Sequence, residues 1–188
     1  MRSYLAILAI LVASALPVVA PASTDDQDIV VRVQKDGADV TVDVDCPVQT
    51  SIAVAWEVLT DYDHMAQFIS NLQYSAIQSR ENDKLQIYQK VAAKRGLLSL
   101  AFETVREVQL VPYREIRSRL VSGDLKASEF TTRIRYDGAM VHVVNSGRYT
   151  PRVWVPPLIG VALIEAETRK QFGEIRAEIL RRSVRSTD

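Results

Sequence analysis

The sequence predicts an α+β fold in which a curved antiparallel sheet has one face covered by a long C-terminal helix. Three observations carry the prediction. Between Pro156 and Val184, apolar or small residues recur at Leu158, Val161, Ile164, Thr168, Phe172, Ile175 and Ile179. Spacings of three and four draw one stripe down a 3.6-residue helix. From Gln73 to Thr150 the period changes to two, which marks half-buried strands. The turn signals between those strands are short (Glu81-Asn82-Asp83, Arg95-Gly96, Pro112-Tyr113, Gly123-Asp124, Asp137-Gly138), so successive strands pair antiparallel without crossovers.

Taken in order, the chain opens with Arg2, an apolar run from Tyr4 to Ala20, and Ala20-Pro21-Ala22 before the polar Ser-Thr-Asp-Asp. Those are the parts of a secretory signal peptide, with cleavage expected after Ala22 and a periplasmic or secreted product. A retained anchor is the alternative, though the apolar run is short and broken by Pro17. Residues 23–28 read as a flexible leader, 29–184 as one ligand-binding domain and 185–188 as a tail. Of the 23 Lys and Arg, only Arg2 leaves with the signal, against 23 Asp and Glu. A nearly neutral mature chain gives no electrostatic reason to expect nucleic acid as partner. The single cysteine, Cys46, cannot form an internal disulfide and reads as a half-buried thiol at a strand end.

Alternation on both sides of Asp36-Gly37 predicts a hairpin over residues 29–45. Pro47 closes it, and Thr50 or Ser51 caps a helix burying Val54, Ala55, Val58, Leu59 and Tyr62. Met65, Phe68, Ile69 and Leu72 have the spacing of a second short helix. Strands follow at about 74–80, 84–93, 97–111, 114–122, 127–136 and 139–150.

Alternation also predicts which side chains look toward the helix. In 97–111 they are Leu98, Leu100, Phe102, Thr104, Arg106, Val108 and Leu110; in 114–122, Ile116, Ser118 and Leu120; in 127–136, Phe130, Thr132, Ile134 and Tyr136. The opposite faces carry charge, as a solvated face should. An inner face mixing apolar residues with Thr, Ser, Tyr and one Arg suits a mostly apolar pocket with a few polar points. A packed core in which the hydroxyl residues are merely small is the alternative. An empty void of about 300 Å³ would cost of order 7 kcal/mol, comparable with the roughly 5–15 kcal/mol stability of a domain. Such a pocket is therefore small, wet or filled.

The segment W-E-V-L-T-D-Y-D-H-M-A-Q-F-I-S-N-L, then F-E-T-V-R-E-V, L-V-S-G-D-L, and V-P-P-L-I-G ahead of the long helix resemble the polyketide cyclase/dehydrase and coenzyme Q-binding group of START-like (SRPBCC, helix-grip) proteins. The resemblance spans about residues 38–183 and includes element order. It implies a deep hydrophobic cavity between sheet and C-terminal helix, in a family whose members bind lipids, quinones, polyketides or hormones, and some of which are cyclases. It also matches Trp56 to Asp61 and Phe68 to a segment near the cavity mouth. Ser70 stands where many relatives have Pro.

Candidate ligand-binding residues are therefore Phe68, Leu72, Phe102, Thr104, Arg106, Ser118, Leu120, Phe130, Thr132, Ile134, Tyr149, Trp154, Val161 and Ile164. Arg106 is the polar position that could meet a carboxylate, carbonyl or phosphate. Trp154 and Pro156 read as a plug on the sheet's end or as a rim touching a membrane during ligand uptake. Asp61, Asp63 and His64 have the residue types for acid/base work, but between two helices they read as caps and turn formers. His142 has no second His or Cys at metal spacing, so neither metal, cofactor nor catalytic set is expected. The expected function is binding of a hydrophobic small molecule (lipid, isoprenoid or quinone) for sequestration or transfer. The alternatives are a cyclase/dehydrase-like enzyme and an interaction module with a filled core.

Overall fold

The computed structural model describes residues 28–95, 98–155 and 159–185. The expected signal peptide, nearly all of the leader, and the Pro156-Pro157-Leu158 helix entrance lie outside the described residues. The elements run β1 (Val30–Asp36), β2 (Asp39–Val48), α1 (Ile52–Thr60), α2 (Met65–Phe68), β3 (Leu72–Glu81), β4 (Lys84–Arg95), β5 (Leu98–Val111), β6 (Glu115–Gly123), β7 (Leu125–Tyr136), β8 (Val141–Pro151) and α3 (Ile159–Arg185).

All eight strands form one antiparallel sheet in the order β1-β2-β8-β7-β6-β5-β4-β3, with α3 on its inner face. The β3–β8 meander is as the short turns require; β2 returns to pair with β8, so β1 and β3 are the edges. Asp36 pairs with Asp39 across a two-residue turn, where Gly37 takes φ +56 at no steric cost. Register shifts bend the sheet, two of them in β3 (Leu72/Tyr74 and Ile77/Ser79) and one each in β6 and β7. Val121 of β6 has no counterpart where Val105 pairs Ser122 and Arg106 pairs Leu120, and Lys126 of β7 is likewise extra between Leu125 and Ala127.

Ser51 is the N-cap of α1, its hydroxyl accepting from the Val54 N–H at 3.2 Å. The apolar face of α1 buries Val54, Ala55, Val58 and Leu59, while Trp56 on the adjoining face meets Tyr113 of the β5–β6 turn at 5.7 Å between ring centroids. The second helix is shorter than its apolar spacing predicts. It stops after one turn, and Ile69 is extended (φ −104, ψ 106). Glu174 of α3 accepts the next N–H, that of Ser70, at 2.9 Å. A tertiary carboxylate thus takes a donor, and Leu72 reaches the interior as the first residue of β3 instead.

The stripe of α3 does two jobs. Phe172, Ile175 and Ile179 are buried in the core with α1, β1 and β2. Thr168 and Ile164, one and two turns before Phe172, face a cavity, which Phe172 and Ile175 also reach from the core. Around the packed half, Arg169 donates to the Ile29 carbonyl and Arg176 pairs with Asp28 at 2.5 Å. Cys46 is fully buried there, not half-buried, with its sulfur 3.9 Å from the Phe172 carbonyl oxygen. The domain is therefore solid on the β1-β2 side and hollow on the β4–β7 side.

Candidate functional site

The hollow is a partly open cavity of about 290 Å³. Strands β4 to β7 supply most of its sheet side through alternate residues: Gln89 and Val91, then Phe102, Thr104 and Arg106, then Ile116 and Ser118, then Ser128, Phe130 and Thr132, with Asn145 and Tyr149 of β8 and Val42 of β2 beside them. Leu59, Tyr62, Met65, Ile69, Asn71 and Leu72 close one flank, and Leu163 to Ile175 of α3 form the facing wall. The wall is mostly apolar, with polar groups at separated points. Gly147 of β8 gives Phe130 its place: a Cβ there would lie 2.3 Å from the ring and 2.4 Å from the Glu129 carbonyl oxygen. The Phe130 ring stacks on Tyr149 at 6.4 Å between centroids and 28° between planes.

Arg106 is the charged group on the sheet side. Its guanidinium donates to the Gln89 side-chain oxygen, while Gln89 in turn donates to Ser75 at 3.0 Å and to the Met65 sulfur at 3.7 Å. Among the described residues Arg106 has no carboxylate partner, and its buried Nε–H has no acceptor. Burial pulls its pKa below the usual guanidinium value, opposed by neighbouring Tyr62. Burial likewise pushes Tyr62 up to about 12, against the effect of the Arg106 charge. Ser118, diagonal to Arg106 across the β5-β6 ladder, carries a second buried polar atom without a partner, its hydroxyl oxygen. Elsewhere the polar points satisfy one another. Thr132 donates to Asn145 at 2.9 Å, and Asn71 donates to Glu167 at 3.4 Å. Burial alone pushes Tyr149 up to about 12.

Nine sequence-derived candidates meet at this cavity: Leu72, Phe102, Thr104, Arg106, Ser118, Phe130, Thr132, Tyr149 and Ile164. Five do not line it. Leu120 lies at the Val121 bulge, which bends β6 away. Ile134 is packed against Val143 in the solid half. Val161 precedes the turn at which α3 meets the cavity. Trp154 is 76% exposed because the strand that would orient it ends at Pro151. Phe68 is partly buried at the edge of the core, with its ring 6.0 Å from the Arg182 guanidinium, away from the cavity. Tyr136, expected on the inner face, is exposed and donates to the Gly138 carbonyl.

Several lining residues escaped the sequence reading. Gln89 follows Leu85 and Ile87 at period two, and Ser128 precedes Phe130 and Thr132 in the same way, so extending the alternation would have found both. Glu167 lies off the apolar stripe of α3 and gave no signal. The polar groups between α1 and α2 are structural: Asp61 contacts His64 at 2.6 Å and Arg182 at 2.6 Å, and Asp63 accepts the Ile77 N–H at 2.8 Å. His142 is held between Asp45 and Asp137 at 2.7 and 3.1 Å, away from the cavity. Among the described residues, no His or Asp lines the cavity and Glu167 is its only carboxylate.

A family profile described as polyketide cyclase / dehydrase and lipid transport matches residues 48–174. No functionally curated protein matches the sequence. Among solved structures, the Zhui aromatase/cyclase from Streptomyces sp. R1128 superposes with a TM-score of 0.62 at 15% identity, covering 80% of this chain and 96% of its own. A START superfamily protein from Mycobacterium smegmatis gives 0.61 at 16% identity, with coverage of 77% and 99%. A STAR-related lipid transfer protein from Xanthomonas axonopodis gives 0.62 at 10% identity, with coverage of 80% and 98%. At these identities the likeness is one of fold.

Proposed function

Because the chain belongs to the polyketide cyclase / dehydrase and lipid transport family, we propose that it binds a hydrophobic small molecule between sheet and α3, for sequestration or transfer outside the cytoplasm. The observation carrying this reading is the cavity of about 290 Å³ with its mostly apolar wall. That volume lies at the lower edge of the roughly 300–1,000 Å³ of small-molecule sites. Left empty and dry it would cost about 7 kcal/mol; water entering through its open part, or a ligand, relieves that. Apolar burial against Phe102, Ile116, Leu125, Phe130 and Ile164 supplies the affinity, at roughly 25 cal/mol per Å² before the cost of ordering.

The polar lining favours binding over acid/base chemistry. Arg106 and Tyr149 do converge on one cavity, but Tyr149 is held up at about 12 and Arg106 has no base beside it among the described residues. A proton donor or acceptor poised near neutral pH is what a cyclase would need. Export follows from the N-terminal signal pattern of residues 1–22. Lipids, isoprenoids and quinones are the ligand classes in view. Exposed Val153 and Trp154, on the connection into α3, are suited to brush a membrane during transfer.

Protein purified from its native host without detergent, weighed by native mass spectrometry and then extracted, tests the reading. The expected result is a stoichiometric apolar adduct that is missing from a folded Phe130→Asp variant. A bare mass that persists after incubation with phospholipids and quinones would overturn it.

A further inference from the structure

Among the described residues, the one cation on the sheet side of the cavity is held in a way the protein itself does not complete. An arginine offers five N–H donors, and among the described residues Arg106 places one bond, on Gln89. Its Nε–H is buried without an acceptor, and so is the Ser118 hydroxyl. Both side chains line the cavity, and Ser118 is the diagonal neighbour of Arg106 across the β5-β6 ladder. Diagonal positions lie about 7–8 Å apart, close enough for one small head group to touch both. Buried charges without an ionic or hydrogen-bonding partner are costly, and buried donors are rarely left unused. Glu167, the other charged lining residue, belongs to α3 and accepts from Asn71, so it does not serve as the missing partner.

Resting on the hydrophobic-ligand reading above, we infer that the natural ligand is an amphiphile with a single carboxylate head, seated on Arg106 with Ser118 donating to the same head. The charge count selects the head. Among the described residues one guanidinium and no lysine line the cavity, with the Glu167 carboxylate on the α3 wall, so Arg106 can balance one negative charge on the head and a phosphate dianion would be left uncompensated. A planar carboxylate also fits the guanidinium fork, where a point-like anion does not. The body of the molecule then extends along Phe102, Ile116, Leu125 and Phe130.

Calorimetric titration of the purified protein with decanoate and with decanol at neutral pH separates this inference from the reading beneath it. The two probes share a chain and differ in the head. The expected result is that both bind and that decanoate binds at least about 10-fold more tightly. In Arg106→Met the ratio falls to about one, Arg106→Lys keeps part of it, and Ser118→Ala lowers it; unfolding midpoints verify that each variant is folded. Equal affinity, or a preference for decanol in the unmodified protein, overturns the carboxylate assignment and leaves hydrophobic binding standing. Failure of both probes to bind overturns both.

Discussion

Removing the charge of Arg106 should make the ligand-free protein more stable. The native state holds a guanidinium whose burial lowers its pKa, with one bond to Gln89 and no carboxylate partner among the described residues. Desolvating an ion costs several kcal/mol even after the protein relaxes. The return is one charge-assisted hydrogen bond, about 1.5–3 kcal/mol. Arg106→Met removes the penalty and keeps an unbranched apolar stem in a cavity already lined by apolar groups. Gln89 loses one donor to its oxygen but keeps its bonds to Ser75 and the Met65 sulfur. The balance is a gain of about 2 kcal/mol, or about 4–8 °C in Tm for a domain of this size. Chemical and thermal unfolding of delipidated protein measure it, with decanoate saturation reversing the order of the two proteins. A loss of about 2 kcal/mol or more in the ligand-free variant would mean that Arg106 is a satisfied structural residue, and the argument from its missing partner would fail.

Three further outcomes are expected. Gly147→Ala should destabilise by about 2–3 kcal/mol in denaturant titrations, because the new methyl meets the Glu129 carbonyl oxygen at 2.4 Å and only the Phe130 ring can swing aside. Arg182→Met should cost about 2–4 kcal/mol, since this largely buried side chain bonds Glu178 at 2.7 Å and Asp61 at 2.6 Å, tying α3 to the end of α1; an unchanged unfolding midpoint would contradict that. His142 is held above the ordinary 6.5, first by its bond to Asp45 and then by Asp137. Its contribution is complete below pH 6.5 and is lost as pH rises through the raised native value. Stability in denaturant titrations should therefore fall as pH rises above 6.5, and His142→Asn should flatten that slope.

The hollow half of the fold was legible because β5 keeps an unbroken period of two, so Phe102, Thr104 and Arg106 share a face in sequence and in space. Turn chemistry at Asp36-Gly37 and Asn82-Asp83 set the strand pairs that frame it. What escaped was decided by tertiary contacts or by single extra residues. The bulge at Val121 has no local signature, and it removes Leu120 from the wall. Glu174 meets the Ser70 N–H where helical spacing continues to Leu72. The stripe of α3 is uniform along its length, so nothing in it distinguishes Ile179, which packs in the core, from Ile164, which faces the cavity. The missing partner of Arg106 is likewise a property of the neighbours that fold around it.

Side-chain methyl NMR during titration with decanol tests most directly that this cavity is where a hydrophobic molecule goes. The account predicts saturable shifts at Val91, Ile116, Leu125 and Ile164, which line the cavity, with exposed Val30 and Val184 unchanged. Shifts confined to the exposed methyls, or none in a folded protein, would contradict it.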